Sequence, residues 1–152
     1  MVLALPELLN VGTTISRQEW PAHVTLASSF VVDESGDELA RAVNDVFTGE
    51  EQLSIRFAGT AAFGPHLDVA VQLVDSPQIF TLHKRLADRL ESMRGFAADE
   101  PAYWRAGYRP HMTHTPSITV HEGEHLELRY IVIAEMTESS ATVVSALALA
   151  AS

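Results

Sequence analysis

Cysteine is absent from all 152 residues, and with it go disulfides, thiolate metal sites and a thiol nucleophile. Any chemistry falls to histidine, serine, threonine and carboxylates. The redox compartment stays open, with cytoplasm compatible. Long apolar runs are missing too. The opening "MVLALPELLNVG" lacks a basic leader and is broken by Pro6, so it reads neither as a secretory signal nor as a membrane span. The closing "ATVVSALALAAS" supplies about a dozen residues against the ~20 that cross a bilayer. A protein in solution, in the cytoplasm and without a membrane partner, is the expectation.

Positive charge is scarce. Ten Lys and Arg against twenty Asp and Glu leave a net charge of −10. That sign lacks the broad basic footprint that tracks a long polyphosphate backbone, so long RNA or DNA is a poor partner. A small phosphorylated ligand is compatible, because a few local donors hold one phosphate whatever the global sign. No G-x-S-x-G elbow is present, which ranks a serine hydrolase low.

What is present is enough for a core: 47% of the residues are hydrophobic, as expected of one domain over residues 1–152. "AHVTLASSFVV" reads as a strand ended by the polar "DESGDE". A helix follows, capped by Ser35 or Asp37, with Leu39, Ala42, Val43, Val46 and Phe47 at helical spacing up to Gly49. "LSIRFAG" alternates as a half-buried strand, and "LDVAVQLV" is another, joined to it through a loop "GTAAFGPH". Ser76 and Pro77 start a second helix whose stripe is Ile79, Leu82, Leu86, Leu90 and Met93, with Gly95 as its end. Residues 95–110 read as a long loop leading into a strand "HMTHTPS". "LELRYIVIAEM" and "ATVVSALALA" close the chain as strands, the latter alternatively a helix because it is rich in alanine. The order implies an α+β protein with helices covering one side of antiparallel sheets.

Two short stretches carry the chemistry. "PAHVTL" and "RPHMTH" each contain His-x-Thr, more than half the chain apart: His23 with Thr25, and His111 with Thr113. Residues i and i+2 of a strand share a face. Each histidine therefore points with its threonine, while Val24 and Leu26, or Met112 and His114, point the other way. Two imidazoles supply a base and an acid near neutral pH. In-line displacement at phosphorus needs them on opposite sides of the phosphate. The threonine hydroxyls suit the non-bridging oxygens. Each half of the chain also offers one long helix and further strands, as a pseudo-twofold pair of lobes would.

The sequence resembles the 2H phosphoesterases, the superfamily of LigT-like 2′-5′ RNA ligases and 2′,3′-cyclic phosphodiesterases. Their pattern is His, hydrophobic, Ser or Thr, hydrophobic, written twice. "HVTL" matches it throughout and "HMTH" departs only at His114. The resemblance implies a bilobal fold, with pseudo-twofold lobes of antiparallel sheet, helices on the outer side and both motifs lining a central cleft. It also implies catalysis by His23, Thr25, His111 and Thr113 with no metal or cofactor. Relatives act on cyclic phosphates at RNA ends, on 2′-5′ or 3′-5′ linkages, and on small cyclic nucleotides, including defence signals that phage relatives destroy. The acidic charge favours a small nucleotide here.

The loop before the second motif offers binding groups: Tyr103, Trp104 and Tyr108 to stack on a base, Arg105 and Arg109 to pair with phosphate. Other candidates read more plainly. His66 is a loop histidine, and His83 belongs to the surface or packing of its helix. His121, Glu122, Glu124 and His125 form a solvated turn whose spacing fits no helical metal motif. Arg56 and Glu135 are surface groups. The rivals are a metal-dependent phosphatase, which a chelator would reveal, and a binding module that holds a nucleotide without cutting it.

Overall fold

The most buried strand is one whose sequence hides its role. In the computed structural model, which describes residues 1–151, β1 (Val2–Leu5) lies inside a five-stranded antiparallel sheet. All four of its residues are fully buried. A strand covered on both faces has no alternation to read. Its neighbours are β3 (Val24–Ala27) at the sheet edge and β10 (Tyr130–Met136), followed by β11 (Ser140–Ala148) and β2 (Thr14–Ser16). The alanine-rich end is thus a strand, not a helix.

The second sheet has four strands in the order β8 (His111–Thr113), β6 (Val69–Asp75), β5 (Leu53–Phe63) and β9 (His125–Leu128). β5 runs well past the expected "LSIRFAG". A register shift between Phe57 and Gly59 marks a bulge, beyond which Gly59 to Phe63 continue to pair with β6. The expected loop shrinks to the turn after Phe63. "LELRYIVIAEM", expected as one strand, divides at Arg129: β9 joins this sheet and β10 the other. The first motif strand likewise stops at Ala27, and β4 (Phe30–Val31) pairs instead with β7 (Ala97–Ala98).

Both helices form where expected. α1 (Gly36–Phe47) is capped by Ser35, whose hydroxyl accepts from the Glu38 N–H at 3.2 Å. α2 (Pro77–Glu91) places Pro77 in its first turn, where a missing N–H costs nothing. Each buries one stripe, Ala42, Val43, Val46 and Phe47 on α1 and Ile79, Leu82, Leu86 and Leu90 on α2. These join a core with Val24 and Leu26 of the first sheet and Ile55, Phe57 and Met112 of the second. Burying each such leucine contributes about 1.5–3 kcal/mol.

The other face of the first sheet carries a smaller cluster, Leu3, Leu5, Val132, Ala134, Ala141 and Val143, with Trp20 and Leu9 packed on it. Leu3 stands directly opposite Thr25, so this is the face to which the first motif points. Helices on the outside and motif faces turned inward make an α+β fold of two lobes around a cleft.

Candidate functional site

Each motif strand is the edge of its own sheet, β3 of the first and β8 of the second, and the two edges lie alongside each other. The alternation works as the sequence predicts: Val24, Leu26 and Met112 are buried, while His23, Thr25, His111 and Thr113 are half-buried. The histidines are close enough that charge on His111 disfavours charge on His23.

The two imidazoles are held alike. His23 Nδ1 lies 2.8 Å from the Pro21 carbonyl, and His111 Nδ1 lies 2.8 Å from the Arg109 carbonyl. A carbonyl only accepts, so each Nδ1 carries the hydrogen and donates to the residue two before its own. In the neutral ring Nε2 is then the basic nitrogen, with no protein partner among the described residues. An aromatic ring flanks each imidazole: Trp20 has its centroid 5.2 Å from His23, and Phe63 stands edge-on to His111 at 4.6 Å. The Arg109 guanidinium lies over the same Phe63 ring, 4.9 Å from its centroid. Burial pushes both histidines below the ordinary imidazole pKa, against the pull of their backbone carbonyls.

Of the five loop residues expected to bind substrate, three have other partners. Trp104 is 6% exposed and packs against Phe30, Phe96 and His83. Tyr108 is 7% exposed, and its hydroxyl donates to the Thr25 carbonyl at 2.7 Å. The Arg105 side chain bonds Asp88 at 2.6 Å and also pairs with Glu91, both on α2. Residues 95–110 contain β7 and two short 3-10 turns, and Trp104 and Tyr108 are buried there. Tyr103 is 61% exposed at the surface. Only Arg109 of the five stands beside a motif histidine.

Sequence reasoning missed Trp20 and Phe63. Trp20 lies three residues before His23, a signal that was legible, but Phe63 reaches His111 only through the β5–β6–β8 pairing. His83 is buried on α2. His66 lies in the exposed turn after β5, and Glu135 is exposed on β10. Arg56 forms a loose 3.8 Å pair with Asp75 on the surface. Among the described residues, His121, Glu122, Glu124 and His125 do not gather into a group that could hold a metal ion.

The fold recurs in a solved structure. The crystal structure of TT0787 of Thermus thermophilus aligns with a TM-score of 0.52 at 18% identity, over 86% of this chain and 79% of that one. Escherichia coli LigT, solved as a complex with NADP+, aligns with a TM-score of 0.48 at 12% identity, over 85% and 76% of the two chains. No curated protein sequence matches significantly. The model of the 2′-5′ RNA ligase superfamily matches residues 12–149 and so takes in both His-x-Thr strands. The chain belongs to that superfamily, the LigT-like 2H phosphoesterases.

Proposed function

We propose that this protein cleaves a phosphodiester bond in a small nucleotide without a metal, using His23 and His111 as base and acid. The observation that carries the reading is the matched mounting of the two imidazoles. Each has Nδ1–H fixed on a carbonyl two residues back, and the two stand on facing edge strands. Identical mounting leaves two equivalent Nε2 atoms for the two ends of an in-line displacement. One accepts the proton of the attacking water or 2′-hydroxyl, and the other donates a proton to the leaving oxygen. Thr25 and Thr113 donate to the non-bridging oxygens, where charge is held in the transition state.

Arg109, beside His111, pairs with a phosphate, while the faces of Trp20 and Phe63 are the nearest platforms for a base. The net charge of −10 favours a small cyclic nucleotide or cyclic oligonucleotide, such as the defence signals degraded by phage enzymes, over long RNA. The family match supports a second reading, a 2′,3′-cyclic phosphate or 2′-5′ linkage at an RNA end.

The experiment is turnover in the presence of a chelator. The panel holds 2′,3′-cyclic mononucleotides, cyclic di- and trinucleotides, and a short RNA ending in a cyclic phosphate, each also offered to His23→Ala and His111→Ala. Turnover lost in both variants supports the reading, and the member cleaved decides between the two substrates. Binding without turnover assigns the protein to the nucleotide-holding modules instead.

A further inference from the structure

A third histidine lies behind the first motif strand. His83 of α2 is 3% exposed, with Nδ1 2.7 Å from the Leu26 carbonyl and Nε2 2.9 Å from the Arg105 backbone nitrogen. The carbonyl accepts and the amide N–H donates, so the ring is the neutral Nδ1–H tautomer with both nitrogens committed. It lies flat on Tyr108, centroids 3.8 Å apart and planes 7° from parallel. Tyr108 in turn donates to the carbonyl of Thr25. A stacked pair of side chains therefore holds two successive carbonyls of the strand that carries His23 and Thr25.

This is where the strand needs holding. Against β1 the register skips a residue: Val2 faces Ala27 and Leu3 faces Thr25, so Leu26 has no partner in the ladder. On its free side β3 has no further strand of its sheet. The far end of the arrangement is tightly wound. Arg105 has a φ of 59°, a region that residues with side chains rarely adopt. Its N–H is fixed by His83 and its guanidinium by Asp88 and Glu91. At Gly107 a Cβ would fall 1.8 Å from the Ala102 carbonyl oxygen. This turn delivers Tyr108 to Thr25, three residues before His111.

We infer that His83 is a positioning residue, setting the first motif against the second through its bond to Leu26. The kinetic consequence rests on the two-histidine reading above, whereas the geometric one does not. Displacing a reacting group by about 1 Å costs on the order of 100-fold in rate.

The test compares His83→Phe with His83→Asn. Phenylalanine keeps the ring on Tyr108 and loses both hydrogen bonds, whereas the asparagine amide stands near the Nδ1 position and keeps the donor to Leu26. Expected is a fall of about 10- to 100-fold in kcat for His83→Phe with KM little changed, and substantial rescue in His83→Asn. This order should hold although asparagine, smaller and without a ring, is the less stable variant. In parallel, 15N-labelled histidine spectra of the unliganded proteins should show the His23 ring resonances displaced in His83→Phe and near their parent positions in His83→Asn. A parent enzyme that cleaves nothing on the panel sinks the functional reading and leaves the spectra to judge the positioning role. His23 resonances unmoved in His83→Phe overturn that role, as does asparagine giving no rescue in an active enzyme.

Discussion

The hydroxyl of Tyr108 donates to the backbone carbonyl of Thr25 at 2.7 Å, joining the approach to the second motif to the interior of the first. Burial raises the Tyr108 phenol far above its ordinary pKa, so it stays protonated and remains a donor across the working range. The bond spans 83 residues of sequence, and no pattern in either stretch announces it.

Removing either motif histidine should abolish turnover without unfolding the protein. General acid and base each contribute roughly 100- to 10,000-fold, so His23→Ala and His111→Ala should both fall by at least about 100-fold in kcat. Both rings are only half-buried. A thermal melt within a few degrees of the parent, beside the lost rate, separates chemistry from folding. Retention of parent kcat by either variant would show that imidazole is not transferring a proton.

For the threonines, Thr25→Val and Thr113→Val keep the β-branched shape and remove the hydroxyl. A donor to transition-state charge is worth about 100- to 1,000-fold in kcat, whereas a ground-state contact appears mainly in KM. The expected signature is a loss in kcat with KM little changed. A rise in KM alone would make the hydroxyls binding groups only.

Acid should destabilise the protein earlier than exposed histidines would allow. His23, His83 and His111 all have pKa values lowered by burial. The unfolded chain therefore binds more protons than the folded one below the ordinary imidazole value of about 6.5. Their contribution is fully present above that pH and is lost as pH falls through the lower folded values. Melting temperatures between pH 8 and pH 5 should bend downward from near 6.5, and His83→Phe, which cannot take up that proton, should flatten the bend. The same lowered values place the pH optimum of kcat/KM in the free enzyme on the acid side of that of two ordinary imidazoles.

Trp104→Ala and Arg109→Ala should separate packing from binding. Trp104 is buried against three rings, and truncating such an aromatic costs about 3–5 kcal/mol. Arg109 is exposed and lies beside His111. Equilibrium denaturation should register the first variant and a raised KM the second. A large KM effect from Trp104→Ala with unchanged stability would return that ring to the substrate site.

What the sequence by itself determined is local. His-x-Thr at period two puts each imidazole with its hydroxyl, and Ser35, Ser76 and Pro77 start two helices whose apolar stripes recur at helical spacing. These follow from chain geometry within a few residues, so the pairing of each motif histidine with its threonine on one face was legible before any coordinates, and the two-lobed fold was legible through the resemblance that the motifs carry. Tertiary structure decided what depends on distant partners. The apolar β1 becomes an interior strand of one sheet only because β3 and β10 pair on either side of it. The run around Arg129 serves two sheets. Trp104 and Tyr108, equally plausible as base platforms, turn inward because the turn at Arg105 and Gly107 is wound against α2. Side-chain type states what a residue can do; which neighbour it does it with is set by pairings between segments far apart in the chain, and only the folded molecule contains them.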